Sequence, residues 1–156
     1  PLGYNGLGDI FVLIFFGPVA VGGTYYVMAQ TITTEAILCG ISPGLLSTAI
    51  LVVNNIRDIK TDSVTGKKTL AVRFGRRASE IQYLVMAIIA LLYPMFAFAV
   101  TRTHAYSMIA TAAFIPAIPV IRLVLYEEGK ILNSALAGTG RVLAIYSALF
   151  AIGWLM

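Results

Sequence analysis

The chain of 156 residues is 59% hydrophobic and only 12% charged, whereas about a quarter of the residues in soluble domains are charged. Its net charge is +4, but ten of the eighteen charged residues lie between positions 57 and 80, which excludes a general nucleic-acid-binding protein with basic residues spread along a soluble face. The single cysteine, Cys39, excludes an intrachain disulfide framework and a cysteine-based metal cluster.

Five apolar windows of about 20 residues, each long enough for a helix to cross a bilayer, follow one another along the chain. They cover residues 10–30, 36–56, 80–100, 105–126 and 135–156. The sequence therefore predicts an all-α, polytopic transmembrane helix bundle that forms one membrane domain over residues 1–156. Gly40 and Gly44 in the second window have a GxxxG spacing, which permits close helix packing but is not specific to it. Since the chain opens on Pro1 rather than Met, we expect a fragment.

The polar stretch at residues 57–80 must lie in water or in a polar cavity, because burial in hydrocarbon costs about 2.5 to 3.5 kcal/mol for each unpaired charge. Lys and Arg concentrate in cytoplasmic loops, so this stretch is assigned to the cytoplasmic side. Glu127, Glu128 and Lys130 then fall on the same side, two crossings later. We expect a multi-pass protein of the inner (cytoplasmic) membrane, surrounded by membrane lipid, with its polar site on the cytoplasmic side.

Oxygen-bearing side chains open this stretch at intervals of four residues: Asn54, Asp58 and Asp62. If the second helix continues for two more turns, all three lie on one face. Two carboxylates and an amide oxygen suit Mg²⁺, a hard ion that often binds through one or two carboxylates and a substrate phosphate. The sequence thus predicts a Mg²⁺ site where the second window leaves the membrane.

Candidate phosphate donors follow directly after Gly66, which permits a tight turn: they are Lys67, Lys68 and the Thr69 hydroxyl. A structural alternative remains open for the same loop. Its two carboxylates would then pair with Arg57, Lys60 and the later lysines in a solvated cytoplasmic collar.

Residues 54–75 follow the pattern NNxRDxxxDxxxGKxTLAVRxG. This pattern resembles the second aspartate-rich motif of UbiA-type membrane prenyltransferases, and most of all that of the branch that prenylates 1,4-dihydroxy-2-naphthoate in menaquinone synthesis. The resemblance extends to Gly17-Pro18 and Gly23-Thr24-Tyr25-Tyr26 in the first window, and to the small-residue-rich last window. It therefore covers nearly the whole chain.

The resemblance implies a nine-helix fold with two aspartate-rich motifs, of which this chain holds one motif and about helices five to nine. Only Asp9 precedes Asn54, so the first motif is not found upstream. The resemblance also implies paired Mg²⁺ ions that bridge a prenyl diphosphate. One ion would be held by Asn54, Asp58 and Asp62, and the phosphate oxygens would contact Arg57, Lys67, Lys68 and Arg73.

Two classes of function stay open. The first is an enzyme that transfers a polyprenyl group from a prenyl diphosphate to 1,4-dihydroxy-2-naphthoate with decarboxylation, or a UbiA-type enzyme with another aromatic acceptor. The second is a non-catalytic five-helix membrane protein, either a small transporter or an assembly subunit, whose collar binds anionic lipid or a partner. The motif favours the enzyme, and we expect the chain to be inactive without the missing N-terminal half.

Overall fold

The computed structural model describes residues 2–156, with side chains from Gly3 onward. Five helices in this part of the chain are long and apolar enough to cross a membrane, which confirms the predicted number. We call them spans 1 to 5: Gly8–Ala29, Thr34–Arg57, Leu70–Thr101, Ala105–Tyr126 and Gly129–Leu155. The described residues contain no strand, so the all-α prediction is confirmed as well.

Four of the spans are built from shorter helical segments. Span 1 consists of the α-helices Gly8–Ile14 and Ala20–Ala29 with a π-helical turn, Phe15–Val19, between them. Pro18 lies in this turn, and its missing N–H and its ring interrupt the regular α-helix. The other segments are Thr34–Cys39 and Ile41–Arg57 in span 2, 3₁₀ Ala105–Ala113 and α-helical Phe114–Tyr126 in span 4, and 3₁₀ Gly129–Ile131 and α-helical Leu132–Leu155 in span 5.

Span 3 begins at Leu70, well before the predicted position 80. Thr69 caps this helix, because its Oγ1 accepts a hydrogen bond from the Val72 N–H at 3.2 Å. Gly75 bends the helix with a φ of 81°, and helical structure resumes after it. The prediction that the whole of 57–80 forms a polar connection is therefore wrong.

The polar connection between spans 2 and 3 comprises residues 58–69 and holds a short helix at Ile59–Val64. It is still the longest connection between spans in the described chain. Several charged residues assigned to it from sequence lie instead in the first turns of span 3: Arg73, Arg76, Arg77 and Glu80. We call this end of the bundle, where the connection 58–69 lies, the charged end.

Charged side chains in the first turns of span 3 bind one another and the end of span 4. Arg76 donates to the buried Glu80 carboxylate at 2.7 Å and to the carbonyl oxygens of Val124 and Glu127 at 3.1 and 2.7 Å. Arg77 donates to the other Glu80 oxygen at 3.3 Å. Because these charges satisfy one another and two helix-end carbonyls, they can lie at the end of a span without the cost of an unpaired ion.

Span 2 occupies the centre of the bundle and packs against spans 1, 3 and 5. Its contact with span 1 is close because glycines meet there: a Cβ on Gly17 would lie 2.6 Å from the Gly40 carbonyl oxygen. A Cβ on Gly44 would lie 2.5 Å from the Leu13 carbonyl oxygen. The close packing that the GxxxG spacing permits is thus present, and it holds span 1 against the helix that leads into the connection 58–69.

Candidate functional site

Arg57, the last residue of span 2, joins two of the predicted metal ligands. Its Nε and Nη2 donate to the two carboxylate oxygens of Asp58, both at 2.7 Å, and Nη2 also donates to Asn54 Oδ1 at 2.8 Å. The structure therefore brings Asn54 and Asp58 together through Arg57, which bonds both side chains. Binding of a cation by Asn54, Asp58 and Asp62 stays a prediction.

The backbone departs from a continuous helix at Asp58, whose φ and ψ are −99° and 8°. Helical hydrogen bonds nevertheless run across it, from the Asp58 N–H to the Asn54 carbonyl at 3.1 Å and from the Asp62 N–H to the Asp58 carbonyl at 2.8 Å. The predicted two further turns thus become a bend followed by the short helix Ile59–Val64. Backbone hydrogen bonds still link Asn54, Asp58 and Asp62 across this bend, and a common face for the three side chains stays a prediction.

Asp62 lies deeper than Asp58, with 8% of its side chain exposed. Its Oδ1 accepts a hydrogen bond from Lys67 Nζ at 3.1 Å, while its buried Oδ2 has no partner among the described residues. Ion pairs such as these also fit the solvated collar. A buried carboxylate oxygen without a donor does not fit it, because buried polar atoms are normally paired, and such an atom suits a metal ion.

The electrostatics at Asp58 favour the charged carboxylate that a metal ligand must be. The hydrogen bonds from Arg57 lower the pKa of Asp58, partial burial opposes this effect, and the charges of Arg57 and Lys67 reinforce it. The carboxylate is therefore ionised throughout the neutral range.

Asn133, in the first turns of span 5, also binds Arg57: the guanidinium Nη1 donates to Asn133 Oδ1 at 2.7 Å. Four of the five N–H donors of Arg57 are thereby engaged. The local motif does not reveal this residue, because 75 positions of sequence separate it from Asp58. The available signal was that the start of the fifth helix falls on the same side of the membrane as the motif.

The predicted phosphate-binding residues fall into two groups. Lys67 and the buried Thr69 line a cavity of about 300 Å³ together with Asn54. Lys68 and Arg73 instead contact the N-terminal segment: the Lys68 N–H donates to the Tyr4 carbonyl at 2.8 Å, and Arg73 Nη2 donates to another carbonyl of that segment at 3.0 Å. Phosphate binding by Lys68 and Arg73 stays a prediction.

Asp9, the second residue of span 1, also lines this cavity. It is 6% exposed, and its buried Oδ1 has no hydrogen-bond partner in the described part of the chain. The motif pattern does not include Asp9, which lies in a different helix from Asn54. An acidic residue at the start of an apolar window was the signal that could have identified it.

Two separate apolar cavities lie along spans 1, 2 and 5. The first, of about 420 Å³, shares Leu51 and Asn54 with the cavity of about 300 Å³ described above, and Phe16 and Leu143 line it further along. We call the first the apolar groove and the smaller cavity next to it the polar cavity. The second apolar cavity, of about 850 Å³, lies near the opposite end of the same three helices, where its lining includes Tyr25, Cys39 and Trp154. The polar site therefore adjoins the apolar groove.

Residues 1–136 match the UbiA prenyltransferase family. The chain is 37% identical over 157 aligned residues to the 1,4-dihydroxy-2-naphthoate octaprenyltransferase of Haemophilus influenzae, covering 100% of this chain and 51% of that protein. It is 33% identical over 147 residues to the Mycobacterium leprae protein of the same name, covering 94% of this chain and 49% of the relative. The Escherichia coli protein of that name is 52% identical over 75 residues, 48% of this chain and 24% of the relative.

The chain spans about half the length of the curated relatives that it matches from end to end. No solved structure matches it.

Proposed function

The chain belongs to the UbiA prenyltransferase family, and from this premise we propose that the protein containing it transfers a polyprenyl group from a prenyl diphosphate to 1,4-dihydroxy-2-naphthoate, with loss of the acceptor's carboxyl group. The observation that carries the proposal is the cluster of Asn54, Arg57 and Asp58 beside the buried Asp62, at the mouth of an apolar groove. Such a site combines a polar place for a diphosphate with an apolar place for an isoprenoid tail. The names of the relatives supply the acceptor.

Prenyltransferases of this family generally depend on a metal ion, and we propose that the ion is Mg²⁺. Asn54, Asp58 and Asp62 would hold it, because they offer only oxygen donors and because Asp62 Oδ2 is buried without a partner. When bound, Mg²⁺ supplies positive charge that stabilises the diphosphate leaving group as the allylic C–O bond breaks.

Arg57 and Lys67 have different proposed roles, because they have different numbers of free donors. Arg57 uses four of its five N–H groups on neighbouring side chains, so its role is to orient Asn54 and Asp58. The ammonium group of Lys67 has three N–H groups, and the structure assigns one of them to Asp62. Lys67 therefore keeps donors for the phosphate oxygens of a diphosphate bound beside Asp62.

The apolar groove is the proposed place of the prenyl tail, with the allylic carbon beside Asn54 and the tail directed along Phe16 and Leu143. Apolar walls keep water away from an allylic cation, which water would otherwise quench. Because Lys and Arg collect at the charged end, we place this end on the cytoplasmic side of the inner membrane.

Lys67→Ala tests the proposed diphosphate contact in the full-length protein. We expect wild type to form prenylated naphthoquinol and CO₂ in a Mg²⁺-dependent assay. The variant should raise the KM for prenyl diphosphate about tenfold or more, since a hydrogen bond to a charged group is worth about 1.5 to 3 kcal/mol, and it should affect the KM for the acceptor less.

Lys60→Ala is the matched control, because Lys60 is an exposed lysine of the same connection that does not line the cavity. Equal increases in KM for both variants would mean that general surface charge, and not a contact from Lys67, attracts the diphosphate. Product formation from other aromatic acids but never from dihydroxynaphthoate would contradict the proposed acceptor.

The 156 residues by themselves should form no product above background. A prenyl diphosphate carries close to three negative charges, and a single pair of motif carboxylates anchors too little metal charge to compensate for them. In addition, span 1 is largely exposed along one side of the groove. We propose that an N-terminal half carrying the first motif closes this side, so co-expression of that half should restore turnover. Rapid turnover by the chain alone would refute this view.

A further inference from the structure

Asp9 is the buried ionisable side chain that the proposed chemistry leaves without a role. It is 6% exposed, and its Oδ1 receives no hydrogen bond from the described residues. A buried carboxylate oxygen without a donor costs free energy in the fold, so its presence beside a cavity points to a ligand that supplies the donor.

The backbone around Asp9 is held in place, so the carboxylate is preorganised. Gly6 has a φ of 78°, and a Cβ there would lie 2.7 Å from the Lys68 carbonyl oxygen. The segment before span 1 therefore packs closely against the connection 58–69. From span 2, Thr48 Oγ1 approaches the Asp9 carbonyl oxygen at 3.5 Å. Asp9 therefore lines the polar cavity from a backbone position that these contacts hold.

The lining of the cavity indicates what kind of ligand would meet this oxygen. Asp9 is the one carboxylate among the residues that line this cavity and Lys67 lines it too, so the cavity offers a cation a single anionic ligand. A neutral hydroxyl group is the complementary donor. Tyr4 and Leu51 add apolar surface to the lining, which suits an aromatic ring that carries such a hydroxyl group.

The cavity also lies in the right place relative to the diphosphate. Asn54 and Lys67, which belong to the proposed metal and diphosphate site, line it together with Asp9. A ring in this cavity would therefore lie next to the allylic carbon. Its volume of about 300 Å³ is at the lower end of the range for small-molecule sites.

We propose that Asp9 Oδ1 accepts a hydrogen bond from a ring hydroxyl group of the aromatic acceptor, and that the polar cavity is the acceptor subsite. This inference rests on the proposed prenyl transfer. A hydroxyl group that donates to a carboxylate releases more electron density into its ring, and the ring carbon that forms the new C–C bond becomes more nucleophilic. Asp9 therefore contributes both to acceptor binding and to the rate of bond formation.

Asp9→Asn in the full-length protein tests the contact, because asparagine keeps the size of the side chain and removes its charge. We expect kcat/KM for dihydroxynaphthoate to fall about tenfold or more, with the KM for prenyl diphosphate and the Mg²⁺ requirement unchanged. Acceptor analogues in which one or the other hydroxyl group is replaced by methoxy lack the donor. With the analogue that has lost the contacting hydroxyl group, wild type and Asp9→Asn should have equal kcat/KM.

Ser107→Ala is the control, because Ser107 Oγ is also buried without a partner but lies in span 4, away from the cavity. It should leave all kinetic constants unchanged. The melting temperature of Asp9→Asn should equal or exceed that of wild type, since the variant removes an unsatisfied buried charge. If this variant does not fold, the methoxy analogues still test the contact, and one of them must lose at least tenfold in kcat/KM on wild type.

Several outcomes would overturn the inference. An Asp9→Asn enzyme with wild-type kcat/KM would show that no hydroxyl contact exists, and so would two methoxy analogues that react as fast as the natural acceptor. A higher Mg²⁺ requirement in Asp9→Asn would make Asp9 a metal ligand instead. If wild type is active and Asp9→Asn has the same kcat/KM, only this inference is refuted. A wild type that prenylates no aromatic acid refutes the proposed function itself.

Discussion

Replacement of Asp58 by asparagine in the full-length protein should reduce kcat/KM for prenyl transfer by about a thousandfold or more, and Asp62→Asn should do the same. A thousandfold corresponds to about 4 kcal/mol of transition-state stabilisation, a plausible contribution for a metal ion beside a departing diphosphate. The protein should stay folded, because Asp58 begins the connection 58–69, its ion pair with Arg57 is only half-buried, and an asparagine oxygen still accepts a hydrogen bond from Arg57. Steady-state kinetics at several Mg²⁺ concentrations, with circular dichroism to check folding, measure both effects.

Glu128→Gln provides the control for Asp58→Asn. Glu128 is an exposed carboxylate at the same end of the bundle, 3.5 Å from Arg76, and it lies outside the proposed site. Its neutralisation should leave kcat/KM within about twofold of wild type, because water and salt screen the charge of an exposed carboxylate outside the site. An Asp58→Asn enzyme that matched wild type at limiting Mg²⁺ would show that this carboxylate is not a metal ligand.

The lowered pKa of Asp58 adds a dependence on pH with a definite sign. Because Arg57 holds this pKa below its usual value, the Arg57–Asp58 pair contributes its stability at neutral pH and loses it only as the pH falls through the lowered pKa. Titration of Asp58 should therefore not limit activity between about pH 5 and 8.

Gly44→Ala should destabilise the bundle by about 2 to 3 kcal/mol, although alanine is normally the better helix former. The added Cβ would lie 2.5 Å from the Leu13 carbonyl oxygen and 3.0 Å from the Gly17 Cα. Both are backbone atoms, which cannot rotate away as a side chain can, so span 1 must move away from span 2. Thermal or denaturant unfolding in detergent would measure the loss.

Gly23→Ala is the matched control, since it is the same one-carbon addition in span 1 and a Cβ there meets no atom within 4 Å. It should leave stability unchanged or raise it by up to about 1 kcal/mol, because alanine loses less conformational freedom on folding than glycine. Equal shifts in melting temperature for both variants would mean that the close approach of spans 1 and 2 does not contribute to stability.

Hydropathy predicted the number and order of the spans, because a helix that crosses hydrocarbon has to be apolar over a fixed length. It placed the start of span 3 too late for a physical reason. A hydropathy window treats Arg76 and Glu80 as unpaired charges, whereas in the fold they bind each other and the carbonyl groups at the end of span 4. Pairing between distant segments is invisible to a local average.

The candidate site shows the same division between local and distant information. Asn54, Arg57 and Asp58 come together because they are one helical turn apart, and this could be predicted from their spacing. Asp9 and Asn133 join them only through the packing of spans 1 and 5 on span 2. No motif within residues 54–75 carries information about those two contacts.

The bonding of Arg57 also limits which side chain can stand at position 57. Its planar guanidinium reaches acceptors in three segments at once: Asn54 in span 2, Asp58 in the connection and Asn133 in span 5. A lysine would preserve the positive charge, but its three N–H groups surround one nitrogen atom on a flexible stem and cannot span these three directions together. Position 57 therefore requires the shape of arginine as well as its charge. Because the same side chain bonds Asp58 and Asn133, a movement of Asp58 is coupled to the first turns of span 5.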